Sequence, residues 1–235
     1  MKSFKRKCYE FLNRNLNKKR NKPLTRNFGV RRGTPIDRYF IDKKIYNFLG
    51  SLDRKKKYRA LEIGGLHYLK NNSSIYEAYE LLQSSSKGLK DNVICKDLNI
   101  PYKGEFENVE KFDFIVCTQV LNFVKDDINS LQIMNKLLRK NGIIIGSVTG
   151  MISHLSLYDY ERWGEYRGYT DQGLQTVFER TNYSINIDTF GNFDLSCEVL
   201  NGSVVEDLEE DILNFKDPLF QITHTFKAFK KNIKI

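Results

Sequence analysis

The polar residues of this chain that could do chemistry gather at the ends of its apolar runs. Glu62-Ile63-Gly64-Gly65 closes YRALEIGG, Asp97-Leu98 follows the run that ends at Cys95, and Thr118-Gln119 closes FDFIVCT. Glycines at such ends let the backbone come close to a ligand, and carboxylates there accept hydrogen bonds from ribose hydroxyls. Together they describe a nucleoside-shaped slot. A phosphate cradle is a poor match: in LEIGGLHYL, His67 and Tyr68 stand where GxGxxG needs small residues, and no GxxxxGK[ST] run occurs. Downstream of Ile143 to Val148, His154, Asp159 and Glu165 are residue types that can serve as a general base, with His154 or Asp159 the expected one.

No built-in metal is expected. His67, His154 and His224 share no HxxxH spacing, and Cys8, Cys95, Cys117 and Cys197 form no CxxC pair, which argues against both a zinc site and a disulfide framework.

Placing these residues on one edge requires strands alternating with helices. Thr34-Pro35 with Asp37 in the first turn predicts a helix over 35–49, with Thr34 as its hydroxyl cap and Gly50 as its end. Strands are expected at YRALEIGG, weakly at 75–79, at 91–95, over Phe112 to Thr118, and over Ile143 to Val148. The continuous apolar character of FDFIVCT predicts burial on both faces. Ile128, Leu131, Met134, Leu137 and Leu138 fall at helical spacing, with Asn141-Gly142 as the stop. A helix at 171–180 and two strands, 183–190 and 221–229, complete the order, with the acidic VVEDLEEDI between the last two. Strand, helix, strand in sequence implies parallel crossovers, hence an open α/β sheet with helices on both faces.

Charge divides the chain. Its net +9 combines about +16 over residues 1–59 with about −7 over the rest. Residues 1–27 read as a basic arm, 28–57 as a cover helix and linker, and 58–235 as a Rossmann-like core. The first residues lack a signal-peptide apolar core, and no apolar run reaches the ~18 residues of a membrane helix. A cytoplasmic protein with no transmembrane segment is expected. Nucleic acid is not the expected partner, because the cations come with no RNP, KH or zinc-knuckle pattern.

A slot for a nucleoside without phosphates suits S-adenosylmethionine, and the motifs agree. The order LEIGG, DL, FDFIVCTQVLNFV, LLRKNGIIIGSV resembles the first, third, fourth and fifth strand motifs of class I S-adenosylmethionine-dependent methyltransferases. FGVRRGTPIDRYFI and TGMISHLSLYDYERWGEY resemble a bacterial subgroup associated with glycosyltransferases and polysaccharide assembly. The resemblance spans about residues 28–229 and implies a mostly parallel, seven-stranded sheet. It also implies a small-molecule or glycan acceptor, and a glycosyltransferase as a possible partner.

By that resemblance Gly64, Gly65 and their neighbours contact the methionine part, with Glu62 orienting the loop. Glu80 in YEAYELL matches the second-strand acid that holds the ribose, with Glu77 as the competing register. Asp97 and Leu98 lie beside the adenine, Thr118 and Gln119 line the floor, and Arg32, Asp37 and Arg38 belong to a covering helix. Trp163 and Tyr166 belong to an acceptor wall or lid. After RWG this chain reads EYRGYT, so Arg167 and Gly168 replace the subgroup's aromatic and guanidinium. Two other readings stay open: an RNA methyltransferase that uses the basic arm, and a non-catalytic protein of the same fold. The residues also have structural readings: a strand-to-helix turn at Glu62 and Gly64, a cap at Asp97, packing by Trp163 and Tyr166, and an exposed ion pair on the cover helix.

Overall fold

FDFIVCT forms the strand Phe112–Thr118 at the middle of the sheet, where it serves both layers. Phe114 and Val116 pack on one side with Ile41, Ile45 and Phe48, while Ile115 and Cys117 pack on the other with Leu131, Met134 and Phe178. The period-two alternation of a strand thus feeds two helical layers at once. The structure is a computed structural model that describes residues 22–70, 75–83, 88–90 and 92–231. Most of the basic arm, including Cys8, lies outside the described residues.

In chain order the strands are β1 (Tyr58–Ile63), β2 (Tyr76–Leu82), β3 (Gly88–Lys90), β4 (Val93–Cys95), β5 (Phe112–Thr118), β6 (Leu138–Thr149), β7 (Tyr183–Phe190) and β8 (Thr223–Lys230). Their spatial order is β3-β4-β2-β1-β5-β6-β8-β7. β4, β2, β1, β5 and β6 run parallel, whereas β8 enters antiparallel between β6 and β7. Seven of these strands make the expected open sheet. The eighth, β3, is a three-residue antiparallel edge beside β4 that the sequence pattern did not announce.

The helices are α1 (Ile36–Gly50), α2 (Asp127–Leu137), α3 (Leu157–Trp163), α4 (Asp171–Glu179), α5 (Phe193–Asn201) and α6 (Glu210–Asn214). No helix among the described residues is long and apolar enough to cross a membrane. α2 starts at Asp126, whose carboxylate accepts from Asn129 N at 2.9 Å, and α4 starts at Thr170, whose hydroxyl accepts from Gly173 N at 3.0 Å. Two expected boundaries are corrected. Thr34 does not cap α1: Pro35 bridges to Val204, and the Thr34 N–H and hydroxyl both reach the Glu206 carboxylate at 2.9 and 2.7 Å. The charged acceptor takes both Thr34 donors and turns the side chain toward the strap, away from the first-turn amides. Asn141-Gly142 does not stop α2, which ends at Leu137. The β5–β6 register instead jumps from Phe112↔Leu138 to Phe114↔Ile143, and Asn141 turns at φ 62° inside that jump.

The segment between β7 and β8 that carries the acidic stretch is a helical insertion, α5 before that stretch and α6 at its end, whose Leu195, Val199 and Leu213 pack on Ile36 and Phe40 of α1. It holds the segment before α1 as a strap. Leu24 N donates to Asn201 O at 2.7 Å, Arg32 pairs with Asp207 at 2.9 Å and reaches Gly202 O at 3.2 Å, and Val205 N donates to Thr34 O at 2.9 Å. The division of charge in the sequence is here a local contact.

Candidate functional site

The carboxyl ends of β1, β2, β4 and β5 form the floor of a cavity of about 1170 Å³, roofed by the start of α1, the loop after β6, and α3. Pockets for one drug-sized ligand span roughly 300–1,000 Å³, so this one has room for two small ligands side by side.

At the end of β1 the floor is built from backbone. Glu62 is 2% exposed, and its carboxylate accepts the N–H groups of His67, Tyr68 and Leu69 at 3.0 to 3.1 Å. Burial pushes this carboxyl above the usual glutamate range, against the three amide donors that favour its charge. Between them Gly64 and Gly65 turn at φ 92° and 116°, and the space where a Gly64 side chain would stand is open. Only glycine enters that region at no steric cost. The Tyr68 hydroxyl donates to Asp42 at 2.6 Å, and Arg38 lies against Tyr68, Asp42 and Asp37, so α1 is pinned to this loop.

The register Glu62↔Glu80 sets Glu80 level with Glu62, whereas Glu77 sits nearer the amino end of β2, on Arg59 at 2.7 Å. Of the two registers, Glu80 is the one near the loop: a side chain added at Gly65 would come 4.0 Å from its Oε2. Glu80 nevertheless stands outside the cavity lining, and Gln83, the first residue after β2, lies in it. Because the sequence pattern ends this strand at 79, Gln83 went unnoticed there. Asp97 and Leu98 line the wall beyond β4. Asp97 Oδ1 accepts from Asn99 N and Nδ2 at 2.8 and 3.0 Å, an Asx turn, and Leu98 O accepts from Asn129 Nδ2 at 2.8 Å. Thr118 and Gln119 line the floor. Gln119 turns at φ 53° and its Oε1 accepts from the Thr149 hydroxyl at 2.9 Å.

The opposite wall is built from side chains. Ser156 gathers two carboxylates there: its hydroxyl donates to Asp159 Oδ2 at 2.6 Å and its N–H to Glu165 Oε2 at 2.9 Å. Burial first, and then Asp159, push the Glu165 carboxyl up. Asp37 and Arg38 also face the cavity, and burial raises the Asp37 carboxyl despite Arg38 beside it. Trp163 lines the cavity at 43% exposed, and Tyr166 is equally exposed, so neither packs in the core. Arg32 does not line the cavity; it fastens the strap. His154 does not line it either. It borders a smaller chamber of about 240 Å³ that adjoins the cavity along Thr149, Ser153 and Glu165 and includes Tyr166, Arg167 and Gly168.

Sequence reasoning missed two supports of this wall. Asn122, fully buried, accepts from Thr149 N at 3.2 Å and donates to Arg167 O at 2.8 Å, tying the β6 loop to EYRGYT. Phe28 lines the cavity and stacks on His154. Asn122 follows TQVL in FDFIVCTQVLNFV and was legible as a polar residue in an apolar run, while Phe28 opens FGVRRGTPIDRYFI with nothing in that motif to mark its contact with His154. The departure at Arg167-Gly168 has a structural reason. Arg167 pairs with Asp127 at 3.2 Å, and a side chain at Gly168 would meet Gly150 O at 2.4 Å.

No protein-family model matches the chain, and no curated protein matches it. Solved structures do. The plantazolicin methyltransferase BpumL, solved with a triazolic desmethylPZN analog and SAH, is 17% identical over 87% of this chain and 88% of its own, with a TM-score of 0.51. A SAM dependent methyltransferase from Archaeoglobus fulgidus is 14% identical over 82% of this chain and 94% of its own, also at 0.51. The CurJ carbon methyltransferase, 15% identical with a TM-score of 0.49, aligns over 80% of this chain, which spans about half (52%) of its length. At such identities the likeness is one of architecture: this chain has the fold of S-adenosylmethionine-dependent methyltransferases.

Proposed function

We propose that this protein is an S-adenosylmethionine-dependent methyltransferase that methylates a hydroxyl of a small acceptor, a sugar or glycan of surface polysaccharide synthesis. The observation that carries the reading is the loop after β1, where a buried carboxylate bound to three amides presents two left-handed glycines to a cavity at the strand ends. The residues fit the cofactor. Open space above Gly64 is a cradle that a Cβ would fill, no phosphate loop competes for it, and carboxylates in the walls suit a cationic sulfonium.

Gly64 and Gly65 would hold the methionine part, Glu80 or Gln83 the ribose, Asp97 and Leu98 the adenine side, and Thr118 and Gln119 the floor. The bound cofactor supplies an activated methyl group on positively charged sulfur. The chain's own task is alignment and exclusion of water, with a base for the hydroxyl proton. Asp159, Glu165 and His154 on the opposite wall are the groups able to take it, and Asp37, Arg38, Trp163 and Tyr166 would shape the acceptor's entry. The polysaccharide assignment rests on the resemblance of RGTPIDRY and RWGEY to the glycosyltransferase-associated subgroup, which also makes a glycosyltransferase its proposed partner. Calorimetric titration of the full chain with S-adenosylmethionine and S-adenosylhomocysteine tests the reading. Binding of both in the micromolar range is expected, and no heat from either would overturn it.

A further inference from the structure

The orientation of His154 is fixed by three observations that the proposed function does not use. Its Nδ1 lies 3.0 Å from Leu155 O. A carbonyl only accepts, so Nδ1 of the neutral ring carries the hydrogen and Nε2 keeps its lone pair. Nε2 is buried without a partner, in a ring that borders the small chamber. The imidazole is stacked on Phe28, with centroids 4.0 Å apart and planes 17° from parallel.

Phe28 itself is held in an uncommon backbone state. Its φ of 49° is in the left-handed region, which a bulky residue occupies only when its surroundings impose it. They do so through the strap: Gly29 follows at φ 77° where a side chain would meet Val204 at 2.3 Å, Val30 N donates to Asn27 O at 3.0 Å, and Arg32 and Thr34 are tied to Asp207 and Glu206. Of the other candidate bases, Asp159 Oδ2 is occupied by the Ser156 hydroxyl and Glu165 Oε2 by the Ser156 N–H. The charged groups around His154 are Glu165, which shares the chamber and attracts a protonated ring, and Arg167, which is turned away onto Asp127 and Lys125 O.

We propose that Phe28 is a positioning residue that holds His154 as the Nδ1–H tautomer, leaving Nε2 to take the proton of the acceptor hydroxyl. The inference rests on the methyltransferase reading and chooses one base within it. In the step the O–H bond breaks and its electron pair stays on oxygen for the new bond to carbon. The proton forms an N–H bond at Nε2, giving an imidazolium beside Glu165. The carbon comes from the sulfonium methyl, whose former bonding pair stays on sulfur, and the imidazolium returns its proton to water.

The test uses the full chain labelled with ¹⁵N-histidine and followed by NMR across pH, with His154→Asn to assign the resonances. Wild type and Phe28→Tyr are expected to show the Nδ1–H pattern at His154. Phe28→Leu is expected to give mixed tautomers. An Nε2–H tautomer in the wild type, or a Phe28→Leu spectrum identical to wild type, overturns the inference, and the first of these needs no variant to fold. Transfer of labelled methyl from S-adenosylmethionine to glycerol, supplied in excess as a generic hydroxyl, reads the base directly. A loss of about 10²-fold is expected in His154→Asn and of roughly tenfold in Phe28→Leu, with recovery in Phe28→Tyr. Undiminished transfer by His154→Asn, or none by a wild type that binds S-adenosylhomocysteine, counts against it. Calorimetry with S-adenosylhomocysteine on the same samples keeps the two readings apart, because absent binding defeats the methyltransferase reading whatever the tautomer.

Discussion

The two walls of the cavity are built in opposite ways. After β1, the loop to Leu69 is folded around one buried carboxylate, and Tyr68 and Leu69 behind it are 4% and 1% exposed. Across the cavity, α3 buries none of its seven residues, and Tyr158, Tyr160 and Trp163 stand out at 60%, 52% and 43% exposed. Backbone amides fixed by burial cannot adapt without unfolding the loop, whereas exposed aromatics tethered by a few side-chain bonds can. A rigid floor suits a ligand that never varies, and an adaptable wall suits an acceptor that differs between proteins of one fold.

Removing the anchor of the rigid wall should do the most damage. Glu62→Ala leaves three inward-facing amides without an acceptor and should cost roughly 3–5 kcal/mol in urea unfolding, with loss of S-adenosylhomocysteine binding. Little change in either would mean that the two walls do not differ in the way described. Next comes a backbone-tight position on the opposite wall. Gly168→Ala would force a Cβ toward Gly150 O and should cost about 1–3 kcal/mol, read as a lowered midpoint at unchanged slope.

A smaller, pH-dependent effect should separate the cofactor-side wall further. Lys96 lines the cavity but is turned onto Glu105 at 2.9 Å. The Lys103 N–H first, and then the Lys96 ammonium, hold the Glu105 carboxyl down at about 2. A depressed folded pKa adds stability that is present above the unfolded carboxylate's value of about 4.3 and is lost as pH falls toward the folded value. Glu105→Gln should therefore be less stable than wild type at neutral pH, with the difference closing by about pH 2. A constant difference across an acid titration would show that the pair contributes through packing alone.

The same contrast explains what the sequence disclosed. β5 was legible because an unbroken apolar run has few other uses, and β7 fell on Tyr183–Phe190 as its alternation indicates. Glu62 was legible as a carboxylate at a strand end, but its partners are amides five to seven residues on, which no residue type announces. α3 gave no helical signal because it has no buried face for periodicity to mark. Thr34 carried every mark of a helix cap, yet its hydroxyl was captured by Glu206, 172 residues away. The partner of Phe28 was hidden for a similar reason, since the ring it stacks on, His154, is distant in sequence. Local physics wrote the floor into the sequence, while the opposite wall is assembled from segments that meet only in the fold.

The smallest expected change in stability is also the most discriminating. Trp163 ends α3 and lines the cavity at 43% exposed, and the Tyr166 hydroxyl donates to the Trp163 carbonyl at 3.3 Å, a bond that any residue at 163 can keep. Trp163→Ala should therefore shift unfolding by less than about 0.5 kcal/mol, as surface substitutions do. It should leave S-adenosylhomocysteine affinity unchanged, because among the described residues no hydrogen bond joins α3 to the floor. The effect should instead fall on transfer to an acceptor, as a raised KM with little change in kcat, since an exposed ring contributes contact and not proton chemistry. A loss of cofactor binding in this variant would show that α3 closes over both ligands, making the adaptable wall part of the rigid one.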